Sequence, residues 1–170
     1  RANSSATIGS GLAAWKKVKN VKRAFVHAEI KKPLGPLLKK IKSYGWEAGI
    51  ALNPDTRWEV VEPYLHNSPQ PPLNLRGGVD CILFMTVYPG QNAAPFQKKV
   101  IPQIKAFHAA YPKVPIEADG GVNEKTLPAL VKAVVTRFAV GSAIWSAPDP
   151  LKAYKTLSKV VRKYDANPRM

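Results

Sequence analysis

The stretch Val114-Pro115-Ile116-Glu117-Ala118-Asp119-Gly120-Gly121 decides the fold. Its apolar run, residues 114–118, reads as a buried strand. An acid then stands where the strand stops, followed by two residues without side chains. Such a place holds a carboxylate over a pocket and lets backbone N–H groups approach an anion. Val140-Gly141-Ser142-Ala143 repeats the design later in the chain, and Met85-Thr86-Val87-Tyr88-Pro89-Gly90 does so earlier. Functional groups at successive strand ends are what a parallel α/β barrel presents to its substrate.

On either side, short apolar runs alternate with amphipathic stretches. Residues 12–21 are expected to be helical, with Ala14, Trp15, Val18 and Val21 on one face. Strands are expected at 24–28, 48–52, 79–87, 114–118 and 137–140. The third is apolar almost throughout, which suits a strand buried on both faces. Leu34, Leu37, Leu38 and Ile41 recur at helical spacing, and Gly45 closes that helix. Residues 58–65 read as a short helix and 96–110 as a longer one aligning Val100, Ile104 and Phe107. Asn123 is placed to cap a helix carrying Leu127, Leu130, Val131 and Val134. Asp149-Pro150 is the cap-plus-proline signature of a last helix expected to bury Tyr154, Leu157, Val161 and Tyr164. The Pro-, Asn- and Gly-rich residues 66–78 read as an inserted loop. This alternation gives parallel strands joined by crossovers, one α/β domain over residues 1–170 with a flexible segment at 1–11.

A chain of 170 residues, 45% of them hydrophobic, supports one folded core. No apolar run approaches the ~20 residues that span a bilayer, so no membrane partner is expected. Cys81 is the single cysteine; it excludes an internal disulfide, reads as a buried thiol and fits a reducing compartment. Lys and Arg total 26 against 11 acids, a net charge of +15. Such a balance asks for an anionic partner: phosphate esters, nucleic acid or an acidic surface. The basic residues are spread over three segments, 16–23, 31–42 and 152–163, on the polar faces of expected helices. Solvated helix faces account for any one cluster; the sum is harder to assign to solvation alone. The first residue is Arg1, which suggests a processed chain or a piece of a longer one. Residues 1–11, small and acid-free, fit the remnant of a cleaved leader. A cytoplasmic location is expected, with an organelle matrix as the alternative.

Taken together, Val26-His27-Ala28-Glu29, Ala51-Leu52-Asn53-Pro54-Asp55-Thr56, Met85-Thr86-Val87-Tyr88-Pro89-Gly90, Glu117-Ala118-Asp119-Gly120-Gly121-Val122 and Val140-Gly141-Ser142-Ala143-Ile144 resemble, in order, the strand ends of the ribulose-phosphate 3-epimerase family. The resemblance covers roughly residues 12–160. It implies a (β/α)8 TIM-barrel type fold, of which this chain carries strands four to eight. Five strands cannot close a barrel. The expectation is therefore an N-terminally incomplete sequence; the rival is a shortened protein completed by a partner chain or by a second copy.

The resemblance also implies chemistry. The family inverts the carbon next to a ketone in a phosphorylated ketopentose, with two carboxylates moving protons on opposite faces and a divalent metal (Zn, Fe, Mn or Co) at the enediolate. Asp119 matches the family's acid/base and metal-binding residue on strand seven; by position alone it also reads as a turn cap. His27 matches a metal ligand; alone in a strand it also reads as a satisfied core histidine. Glu29, two residues on, points the same way as His27 and either orients it or faces solvent. Met85 matches an apolar cover of the enediolate, or is simply a core methionine. Gly90, Gly120, Gly121, Gly141 and Ser142 match the phosphate cradle, or are tight-turn residues. A strand-two His and Asp would complete the metal and acid/base set. The loop after Gly90 departs from the family's glycine-rich pattern, reading Gln91-Asn92-Ala93-Ala94-Pro95-Phe96, and is expected to be stiffer. The favoured expectation is an epimerase-like isomerase. The alternative is a catalytically inactive, basic, barrel-derived subunit of a nucleoprotein or other large assembly.

Overall fold

The computed structural model describes residues 15–65, 78–90 and 94–164. Its centre is a parallel sheet of β1 (Arg23–His27), β2 (Glu47–Leu52), β3 (Cys81–Met85), β4 (Ile116–Asp119) and β5 (Arg137–Ala139). The spatial order is the chain order, β1-β2-β3-β4-β5, and every neighbouring pair is parallel. A doubly wound sheet reverses its order at a switch point; a barrel does not. Unreversed order with crossovers of one hand puts the connecting helices on one face, leaving the other as the barrel interior.

Those connections are α1 (Leu34–Lys42), a 3-10 helix (Trp58–Tyr64), α2 (Val100–Ala110), α3 (Leu127–Lys132), the single turn α4 (Ser142–Trp145) and α5 (Pro150–Tyr164). Leu34, Leu38 and Ile41 of α1 are buried, as are Val100, Ile104 and Phe107 of α2 and Leu127, Leu130 and Val131 of α3. They pack on the outward residues of the strands, Ile50, Leu52, Ile82, Phe84, Ile116 and Ala118. Trp58, Phe84, Phe107 and Tyr111 close this core with edge-to-face rings 5.8–5.9 Å apart. The cap of α5 is as the sequence indicates: Asp149 Oδ1 accepts the Lys152 N–H at 2.9 Å.

The inward face carries a polar layer. Arg23 donates to Glu47 at 2.6 Å and to Glu117 at 2.5 Å, and Arg137 donates to Glu47 at 2.9 Å. Arg23 sits on β1 and Glu117 on β4, so the sheet curves enough for long side chains to span it. Above this layer the Phe25 ring lies over Gly49, where an added Cβ would come within 2.3 Å of it; a glycine in mid-strand makes that room. Cys81 lies on the same face, fully buried, and burial pushes its thiol up to about 11.

Several expectations are corrected. The helix expected at 12–21 begins outside the described residues, and residues 16–20 form turns and a bend. Trp15 and Val18 are 59% and 48% exposed, because no described element lies over them. Val134 does not extend the buried face of α3: it lies beyond the helix end with φ +65. Tyr154 is 58% exposed, whereas Leu157 is buried and Val161 and Tyr164 pack on the core. The expected segment 1–11 and nearly all of the loop at 66–78 lie outside the described residues. No helix among the described residues is long and apolar enough to cross a membrane.

Candidate active site

Strand ends place the candidate residues on one rim. His27 ends β1, Met85 ends β3 and Asp119 ends β4, while Gly141 and Ser142 follow β5. Because all strands run parallel, these are all C-terminal ends, the end at which barrel enzymes bind substrate. Met85 and Asp119 are direct cross-strand partners and share a face. Through Ala51 and Leu83, His27 is level with Glu117, two residues below Asp119 on that same face. His27 is near enough to Asp119 to act on its charge.

Three carboxylates stand at or below this rim, and their partners separate their roles. Glu117 is bound by Arg23 at 2.5 Å, with a side chain only 11% exposed. Glu29 accepts the Asn53 N–H at 2.8 Å and the Thr56 hydroxyl, and its second oxygen lies 3.4 Å from His27 Nδ1. These contacts hold the Glu29 carboxyl below the usual range against its partial burial. Glu29 therefore orients His27 and joins β1 to the turn after β2. Asp119 forms no salt bridge among the described residues. Burial pushes its pKa up; the Gly120 N–H and His27 offset this only in part. A half-buried carboxylate without a cationic partner has the poise of a general base.

The turn after β4 is built around glycine. Gly120 has φ +106, and a Cβ there would meet Val87 at 2.3 Å. Gly121 has φ +62. Their carbonyls are fixed by side chains: the Thr86 hydroxyl donates to Gly120, while Thr126 Oγ1 and Asn123 Nδ2 donate to Gly121 at 2.8 and 3.0 Å. The first N–H groups of α4, beginning at Ser142, have no intrahelical acceptor. Gly90 turns the chain after β3 with φ +89. Residues 91–93, including Ala93, lie outside the described residues. A cleft of about 460 Å³ lies behind the rim, lined by Asn123, Glu124, Lys125, Ala143, Ala153 and Leu157. Neither His27 nor Asp119 lines it.

His27 and Asp119 are two donors of the right type for the metal that the resemblance implies. Catalytic metal sites use three protein ligands as a rule. Among the described residues no group of three His, Cys, Asp or Glu side chains comes together. The contacts that local pattern misses are those of Thr86, Thr126 and Thr56. Their hydroxyls bond across loops, and only the spacing of Thr126 three residues after Asn123 signals a turn.

Comparison with known proteins agrees with this geometry. The model of the Ribulose-phosphate 3 epimerase family matches residues 12–145. A ribulose-phosphate 3-epimerase of Bacillus subtilis is 34% identical over 133 residues, which cover 75% of this chain and 56% of that protein. The cytoplasmic isoform from Oryza sativa subsp. japonica is 31% identical over 125 residues, 74% of this chain and 51% of that protein. The chain thus spans about half the length of the curated relatives it matches. In fold it is similar to orotidine 5'-monophosphate decarboxylase from Sulfolobus solfataricus (TM-score 0.61, 13% identity, 92% of this chain and 69% of that one). It is similar in the same way to a 3-hexulose-6-phosphate synthase (TM-score 0.59, 17% identity, 92% of this chain and 69% of that one). Strand order, rim geometry and the family match together show that the chain belongs to the ribulose-phosphate 3-epimerase family.

Proposed function

We propose that this chain forms the C-terminal part of an epimerase acting on a phosphorylated ketopentose, with Asp119 as one of the two acid/base groups. The observation that carries this reading is the isolation of Asp119. Among the described residues it is the rim carboxylate without an ion pair, half-buried and raised in pKa, at a strand end beside two glycines. In the forward half-reaction one Asp119 oxygen takes the proton from the carbon next to the ketone, and the electron pair moves to the carbonyl oxygen as an enediolate. A second acid returns a proton to the opposite face. That acid is read, by resemblance, as a strand-two Asp outside this chain. Met85, beside Asp119 on the same face, covers the planar intermediate with apolar surface. The N–H groups of Gly90, Gly120, Gly121, Gly141 and Ser142 receive the phosphate. His27, 3.4 Å from Glu29, would with Asp119 offer ligands to a divalent ion that polarises the enediolate, its other ligands coming from beyond the described residues.

The test is turnover of ribulose 5-phosphate by the product of the complete reading frame that encodes this chain. Asp119→Asn removes the proton acceptor and is expected to lower kcat by about 10²- to 10⁴-fold, the usual contribution of a positioned base. Activity equal to the parent in that variant would end the assignment.

A further inference from the structure

Three side chains on the rim form a cluster that the proton-transfer chemistry does not use. Asp55 stands three residues past the end of β2, and Tyr88 three residues past the end of β3. Lys99 immediately precedes α2. Lys99 Nζ pairs with Asp55 Oδ1 and donates to the Tyr88 hydroxyl at 2.6 Å; the Tyr88 hydroxyl donates to Asp55 Oδ2 at 2.8 Å. The ammonium also lies 5.1 Å from the centre of the Tyr88 ring. Each member thus contacts the other two.

The placement gives the cluster its meaning. Tyr88 and Lys99 are near the two ends of the connection from β3 to α2, the segment that carries Gly90. Asp55 belongs to the neighbouring connection, which Glu29 already ties to β1 through Asn53 and Thr56. Two further bonds brace the arrangement: the Gln97 N–H donates to the Thr86 carbonyl at 2.8 Å, and Gln103 Nε2 donates to the Pro54 carbonyl at 3.3 Å. Both ends of the β3–α2 connection are therefore fixed to each other and to a rigid neighbour. As a source of stability the cluster is weak, since the Lys99 and Asp55 side chains are 48% and 65% exposed and such pairs contribute little. What it restricts is local: the path of Tyr88-Pro89-Gly90 beside Met85 and Asp119.

We propose that Lys99, Asp55 and Tyr88 form a clamp that pre-orders the Tyr88–Gly90 backbone for capture of the substrate's phosphate, making them positioning residues. The clamp rests on the epimerase reading for its substrate but not for its existence. A pre-ordered segment spares the substrate the ordering cost at binding. Loss of the clamp therefore raises KM and leaves proton transfer alone.

The experiment compares Lys99→Met, Asp55→Asn and Tyr88→Phe with Lys99→Arg in the complete protein, using ribulose 5-phosphate. Lys99→Met and Asp55→Asn are expected to raise KM by about 2- to 10-fold, the effect of freeing one or two side chains. In both variants kcat and Tm stay near the parent values. Lys99→Arg, which keeps the cation, is expected to stay near the parent KM. Hydrogen exchange at the Tyr88 and Gly90 amides should quicken in Lys99→Met and not in Lys99→Arg. An unchanged KM in both Lys99→Met and Asp55→Asn would overturn the clamp, as would a KM rise that tracks a fall in Tm. If the parent protein fails to turn over ribulose 5-phosphate, the epimerase reading falls. The exchange comparison then decides the clamp by itself, and unaltered exchange in Lys99→Met overturns it.

Discussion

At the scale of single residues, Asp119 and Val134 each sit where the environment works against them. Burial disfavours the charged form of Asp119, so its folded pKa lies above the unfolded value. For an acid shifted upward the sign is plain. Below the unfolded pKa the group is neutral in both states and nothing is lost; above the folded pKa the buried charge destabilises the native state. Asp119→Asn is thus expected to lower turnover as above while leaving Tm at neutral pH equal to or above that of the parent, measured by calorimetry. A clear fall in Tm would mean that the carboxylate is held by contacts which favour its charge. Val134 adopts φ +65 just past α3, a conformation that costs a β-branched residue about 1–2 kcal/mol. Val134→Gly is expected to raise Tm by about 2–4 °C, the shift that ~1 kcal/mol produces at this chain length. A lower Tm would show that the Val134 side chain, 37% exposed, contributes packing that outweighs the strain.

At the scale of elements, the layer of Arg23, Glu47, Glu117 and Arg137 ties β1, β2, β4 and β5 across the inner face. Arg23→Met leaves the nearly buried Glu117 carboxylate without its partner. The expected loss is about 2–3 kcal/mol, read by chemical denaturation. The contribution through Glu47 carries a pH signature. Hydrogen bonding to Arg23 holds the Glu47 carboxyl below its usual range, so that stability is present above the unfolded glutamate pKa and lost as pH falls through the folded one. Parent and variant should therefore converge in stability as the solution is acidified below the ordinary glutamate range. A constant difference across that range would remove Glu47 from the account. The elements themselves were largely legible in the sequence, because strands buried on both faces read as unbroken apolar runs; β2 and β3 are the clearest cases. Their ends shift by one or two residues where pairing rather than hydrophobicity sets the limit. The amphipathic pattern at 12–21 misled because periodicity shows that a face is apolar, not that anything covers it. The strand-end residues of the site were readable by motif. The partners Asn53 and Thr56 of Glu29 and Asp55 of Lys99 were not: they lie 24 to 44 residues away and meet only through the fold.

At the scale of the whole molecule, the described residues make a curved five-stranded sheet whose edge strands, β1 and β5, each pair on one side only. Apolar side chains stand exposed near those edges: Trp15 at 59%, and Trp145, Leu151 and Tyr154 at 78%, 61% and 58%. Open edges and exposed aromatic surface favour association. A polypeptide of these 170 residues by themselves is expected to self-associate at tens of micromolar, seen by light scattering. A stable monomer would show that these surfaces are less adhesive than their composition implies. The rim depends on the whole arrangement, because β1 and β4 bring their ends together only if the sheet curves. Solvent exchange reads out proton transfer through Asp119. The protein from the complete reading frame, incubated with ribulose 5-phosphate in deuterium oxide, should place deuterium on the carbon next to the ketone, and Asp119→Asn should not. Deuterium entering at the parental rate in Asp119→Asn would contradict the account.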